Sequence, residues 1–185
     1  MPPAVVRTIK DEIFWQYAKL ISKSAGLSYQ RAFQMKKFIE LRDGDIQWST
    51  SIREWIKEHE KPDECIYCGS KQNLTVDHIL PLARDGPDKP DNAIMVCKPC
   101  NSSKGAKRLY EWKRKEEKDN IPRIAEGKYL KLLFELHEKM GTLYIDKTDI
   151  PIKLCPICDE SHLCSEGGTV GKLTVYCIEG IFKKK

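Results

Sequence analysis

Two Cys-x-x-Cys pairs, Cys65/Cys68 and Cys97/Cys100, constrain this chain more than any other feature. They bracket the stretch CIYCGSKQNLTVDHILPLARDGPDKPDNAIMVCKPCNSSK, Cys65 to Lys104. Four thiolates in two such pairs complete the tetrahedral shell of a structural Zn²⁺, so both ends of the stretch must meet at one point. Cys65-Ile66-Tyr67-Cys68-Gly69 has the form of a zinc knuckle. Leu74-Thr75-Val76 reads as a strand that delivers Asp77 and His78, and Ala93-Ile94-Met95-Val96 as a second strand returning to Cys97. Arg84 to Asn92, rich in Pro, Gly and Asp, is expected to be an exposed loop. From Asn101 to about Lys118 the pattern turns helical and basic. The predicted order is strand, loop, strand, helix. With the zinc filled by cysteines, Asp77, His78, Asn92 and Asn101 are left for a second task.

The flanks carry less. Residues 1 to 60 contain no cysteine and read as helices. Glu12, Trp15, Tyr17, Ala18 and Ile21 fall near one helical stripe, which Ser22 to Gly26 breaks. A second helix starts near Ser28, draws apolar contacts from Phe33, Met35, Phe38, Ile39 and Leu41, and ends at Gly44. Ser49 or Thr50 caps a third, Ser51 to His59, burying Ile52, Trp55 and Ile56. Residues 121 to 140 read as another helix, with Pro122 in its first turn and Gly141 at its end. The tail then offers Cys155, Cys158, His162, Cys164 and Cys177, enough for a second zinc with one ligand to spare. Cys155, Cys158 and Cys177 are the expected ligands, with Cys164 as the fourth and His162 as its competitor. Lys172 to Tyr176 alternates like a strand. A redox reading of Cys155-Pro156-Ile157-Cys158 lacks the βαβ surroundings that such a motif needs. The expected division is a helical region (1–60), a core (61–120), and a helix with a second zinc module (121–185).

With 185 residues, the chain suits one compact domain with attachments. A net charge of +5 permits nucleic-acid binding without demanding it. No stretch approaches the roughly 20 apolar residues of a membrane span, and the first residues do not form a signal peptide. Eight cysteines, six of them in Cys-x-x-Cys pairs, point to metal ligands in a soluble cytoplasmic protein rather than to secreted disulfides.

Between the pairs, Asp77-His78, Asn92 and Asn101 occur in an order that resembles the HNH nucleases in their zinc-bearing form. The resemblance covers the bracketed stretch and leaves both ends unassigned. It implies an α+β fold with a zinc-stapled ββα-metal core. It also implies roles: His78 as general base, Asp77 and Asn101 as ligands of a catalytic metal, and Asn92 as the residue that holds the loop and orients the histidine. Asn101 stands where some members have His.

The chemistry fits these residue types. A phosphodiester repels nucleophiles and has a poor leaving group, so hydrolysis calls for a base for water and a cation near the departing oxygen. An imidazole titrates close to neutrality and suits the first task. Asp77 and Asn101 offer hard oxygens, which favour Mg²⁺ or Mn²⁺ over zinc. Neighbours on a strand face opposite ways, so Asp77 and His78 reach one site only if the strand ends or twists there. In the basic segment, Lys104, Lys107 and Arg108 are expected on phosphate, whereas Lys113 to Lys118, interleaved with acids, read as a solvated face. The expected function is a metal-dependent endonuclease acting on double-stranded DNA, of restriction type, working as a homodimer or by successive nicks. The rival reading is a zinc-stabilised DNA-binding protein without catalysis, and thiol redox chemistry is a third.

Overall fold

The computed structural model describes residues 2–48, 61, 63–117 and 120–183, apart from the side chains of 115 and 116. The helix expected over Ser51 to His59, with its caps, lies outside the described residues. In chain order the elements are α1 (Ile9–Ser24), α2 (Arg31–Asp43), β1 (Leu74–His78), β2 (Ala93–Cys97), α3 (Lys98–Lys104), α4 (Leu109–Glu117), α5 (Arg123–Lys139), α6 (Ile150–Lys153) and α7 (Ser161–Glu166). They group into two compact units, Met1–Ser51 with Leu133–Ile181, and Ile52–Leu132 with Phe182–Lys185. The first unit thus joins two stretches far apart in the sequence, 1–51 and 133–181. No helix among the described residues is long and apolar enough to cross a membrane.

In the first unit α1 is buried on most sides, with Ile9, Ile13, Phe14, Tyr17, Ala18 and Leu20 all in the core. Thr8 starts it with a reciprocal cap: its hydroxyl accepts from the Asp11 amide, and its own amide donates to the Asp11 carboxylate. α2 buries only Phe38 and Leu41, and Phe38 meets Trp15 edge-on at 6.1 Å. Gly44, at φ 89°, ends it in the left-handed conformation. Phe14, Trp48 and Phe134 cluster with centroids 5.2 to 5.8 Å apart.

His137, near the end of α5, is buried, with Nε2 3.0 Å from the Ile178 carbonyl and Nδ1 2.7 Å from the Thr142 hydroxyl. Burial lowers its pKa to about 4 against the opposing pull of the Ile178 carbonyl. Because the folded state prefers the neutral ring, His137 contributes full stability above the unfolded value near 6.5 and loses it as pH falls toward 4. The loss amounts to about 3 kcal/mol. Urea midpoints measured across that window should fall with acid in the wild type, and less steeply in His137→Gln.

The tail departs from expectation. Lys172 to Tyr176 forms no strand; Thr174 instead starts a 3₁₀ turn, Val175–Ile178, and its carbonyl accepts from the Cys177 amide at 3.0 Å. The described residues hold one sheet, β1 with β2. An isolated strand would leave its amides unpaired, and the turn satisfies them locally.

The second unit is built on that hairpin. β1 and β2 run antiparallel, with Leu74 opposite Cys97 and His78 opposite Ala93. Ile94 and Val96 are buried, as are Ile79 and Leu80 just past β1. The helix expected from Asn101 to Lys118 is two helices. Gly105 (φ 52°, ψ −134°) stops α3, and its amide bonds the Asn101 carbonyl at 2.8 Å. The loop expected to be exposed is anchored at both ends, since Arg84 and Asn92 are buried. Tyr110 packs edge-on against Tyr129 and donates to Glu126 at 2.8 Å.

Candidate metal centre and active site

The four sulfurs of Cys65, Cys68, Cys97 and Cys100 lie within 4.8 Å of one another. The knuckle is fixed by Cys65 N–H to the Ser70 carbonyl, Gly69 N–H to the Cys65 carbonyl, and Ile66 N–H to the Met95 carbonyl of β2, each at 2.8 Å. Cys68 Sγ stands 3.6 Å from Cys97 Sγ. A tetrahedron with Zn–S bonds near 2.3 Å has edges of about 3.8 Å, so the cluster has the size of a zinc shell. Its electrostatics agree. Burial pushes the Cys65 thiol up, but amide donors of Cys97, Cys68 and Tyr67 outweigh it and hold it at about 7. Burial and hydrogen bonds shared with Cys97, Cys68 and Cys65 drive Cys100 the other way. One sulfur takes negative charge and a neighbour resists it. A divalent cation removes that conflict.

Past the cluster, β1 ends at His78. Asp77 Oδ2 accepts from Lys104 Nζ at 2.8 Å, and the same ammonium donates to the His78 carbonyl at 2.8 Å. The Lys104 side chain is 0% exposed. Burial lowers its pKa while Asp77 pulls it back up. Lys104 therefore does not face a phosphate, as the sequence reading expects; its charge is spent on Asp77. Arg108 is corrected in the same way. It is buried, with Nη1 donating to the Phe182 carbonyl at 3.0 Å and Nε to Glu111 at 3.2 Å. Of the three expected phosphate contacts only Lys107 is exposed, its Nζ 3.4 Å from the Ser103 carbonyl.

Asn101 sits three residues before Lys104 on α3, so both lie on one helix face, and Lys104 reaches β1 from it. His78 is a quarter exposed, and its Nε2 is 3.2 Å from Oδ1 of Asp88. A carboxylate only accepts, so Nε2 is the donor in this contact, and it is the neutral ring with that tautomer that leaves a lone pair on Nδ1. Asn92 is buried and clamps the intervening loop. Its Oδ1 accepts from the Leu80 amide, and its Nδ2 donates to the Leu80 and Pro87 carbonyls, all at 2.9 Å. Its own carbonyl accepts from Ile79 N–H at 2.9 Å. Gly86 belongs to the same device, since a Cβ there would sit 2.0 Å from the Leu80 carbonyl oxygen. Asn92→Ala strands the buried Leu80 amide and should destabilise the unit by about 3 kcal/mol. Faster hydrogen exchange at Ile79 and Leu80, with protection in α1 unchanged, would report this locally.

Two residues near Asp77 and His78 escape a reading by spacing. Asp88 is an unremarkable acid in a Pro/Gly loop, and Tyr67 is only the variable position of a knuckle. Yet the Tyr67 hydroxyl is buried with no hydrogen-bond partner among the described residues. Burial above all, then the charges of Asp77, Cys65 and Cys100, keep it protonated far into alkali. Its ring packs edge-on against Trp112 at 4.8 Å. The Asp77 carboxylate is thus one of the charges that this orphaned hydroxyl feels.

The tail cysteines are placed differently. Cys155, Cys158, Cys164 and Cys177 line one cavity in the first unit. Among the described residues, only the first four cysteines gather their sulfurs within 4.8 Å. His162 is exposed and is not part of that lining.

An antiparallel hairpin leading into a short helix, tied by four thiols and ending its first strand on a histidine, defines the ββα-metal class. In keeping with that, residues 65–107 match the family model of HNH endonucleases. The match spans less than a quarter of the chain; it marks this segment as an HNH domain and supports nuclease activity and nucleic-acid binding in general. Among curated proteins and among solved structures, none matches the chain.

Proposed function

We propose that this chain is a metal-dependent DNA endonuclease of restriction type. The observation that carries the reading is His78, partly exposed at the end of β1 with Nε2 held toward Asp88, inside the HNH segment. In this reading Nδ1 of His78 takes a proton from water as the general base. Asp77 and Asn101 hold Mg²⁺ or Mn²⁺, with Lys104 fixing the Asp77 carboxylate. A cation bound there neutralises charge on the phosphate and on the departing oxygen. Asn92 keeps the loop that carries Asp88 in place, and exposed Lys107 meets the DNA backbone. The four cysteines of the HNH segment hold one structural zinc and the tail a second, in a cytoplasmic setting that keeps thiols reduced. One active site per chain makes duplex cleavage the work of a homodimer or of two nicks.

Electron paramagnetic resonance of Mn²⁺ tests the cation site apart from turnover. The zinc-loaded chain should bind Mn²⁺, and Asp77→Ala and Asn101→Ala should abolish binding with zinc retained. Discrete DNA fragments on modified or unmodified substrates would support the restriction role, whereas a smear would remove it. One observation favours a second reading, a zinc-stabilised DNA binder without catalysis: Lys104 already occupies Asp77. That reading requires DNA binding with no Mn²⁺ bound to the wild type.

A further inference from the structure

We propose that Cys155, Cys158, Cys164 and Cys177 form a closed, tetrahedral zinc site within the first unit, with His162 outside the ligand set. This rests on the two-zinc reading above and deepens it by assigning the ligands. The four cysteines line a single cavity of about 40 Å³, walled otherwise mostly by apolar chains such as Ile150, Leu154, Val170 and Ile181, with Ser161 and Lys172 at its lining too. That volume exceeds the 10–15 Å³ or so a water requires, and it is room enough for an ion among the four sulfurs. A thiophilic cation needs only the sulfurs.

The backbone around the cavity repeats the first cluster's construction. Cys155–Ile157 forms a 3₁₀ turn, and the Glu160 amide donates to Cys158 Sγ at 3.4 Å. The Ser70 amide serves Cys68 in the same way, two residues past the second cysteine of the pair. From the other side, the Thr174 amide donates to Cys177 Sγ at 3.4 Å. The Thr174 hydroxyl stands 3.7 Å from Cys177 Sγ and 3.9 Å from Cys164 Sγ, so these two thiols share a neighbour. Gly180 lies against Cys158. A Cβ at that position would lie 2.3 Å from Cys158 Sγ, and its carbonyl accepts from the Asp159 amide at 3.1 Å.

Cys164 and His162 both belong to α7, two positions apart, which places them on different faces of the helix. The face with Cys164 lines the cavity; His162 is exposed. The sulfurs stand further apart than those of the first cluster, and rotation about χ1 into the cavity draws them onto an ion. The segment also needs a staple. α6 has four residues and α7 six, far below the length at which a helix holds itself.

The test is zinc counting on the full chain by native mass spectrometry. The wild type and His162→Ala should each carry two zinc ions, and Cys164→Ser and Cys177→Ser one. X-ray absorption of the wild-type zinc, which needs no variant, should give four sulfurs per ion and no nitrogen. The proposal is overturned by one zinc per wild-type chain, by loss of an ion in His162→Ala, or by nitrogen in the shell. A chain lighter by two hydrogens, or visible absorption from iron, would also overturn it. Zinc content is read without DNA, so two zincs without cleavage would sink only the nuclease reading, and cleavage with one zinc only this one.

Discussion

Removing zinc from the full chain is expected to unfold the Cys65 to Lys104 segment and abolish nucleic-acid binding. The segment has little else to hold it. β1 and β2 have five residues each, and a two-stranded hairpin alone is marginal in water. α3 has seven residues, about half the length at which an isolated helix persists. Against that, a structural zinc contributes an apparent free energy of about 10–16 kcal/mol. Chelation, or Cys97→Ser, should give rapid proteolysis between Lys71 and Lys107, with readdition of zinc reversing only the first. A segment that stayed protected in excess chelator would show that the sulfur cluster is not its staple.

His78→Ala should lower the single-turnover cleavage rate by roughly 10²- to 10⁴-fold, the range for loss of a general base. DNA affinity and zinc content should stay at wild-type values, because among the described residues the His78 side chain makes one bond, to an acid that is 86% exposed. Asp88→Asn should cost less, about tenfold at most, since an exposed hydrogen bond contributes about 1 kcal/mol. A matched fall in rate and affinity would instead assign His78 to binding. An unchanged rate would remove it from the chemistry.

Much of this was legible because the signals are local. Cys-x-x-Cys spacing, the apolar runs at Leu74 and Ala93, and glycines at the ends of α2 and α5 act through near neighbours, and the structure has them where spacing puts them. What escaped depends on docking. Lys104 and Arg108 read as phosphate contacts, yet the face of α3 against β1 places one ammonium on Asp77, and Phe182 and Glu111 claim the guanidinium. Asp88 carries no signal ten residues from His78 until Asn92 and Gly86 fold the loop back. The gathering of residues 1–51 and 133–181 into one unit, with Val175–Ile178 packed near α1, is likewise invisible to periodicity.

The most direct test is incubation of supercoiled plasmid, methylated and unmethylated, with the zinc-loaded chain and Mg²⁺ or Mn²⁺, beside His78→Ala. The account predicts nicked or linear product with either cation, none in EDTA, and none with the variant. Intact plasmid under every cation, with DNA still bound, would contradict it.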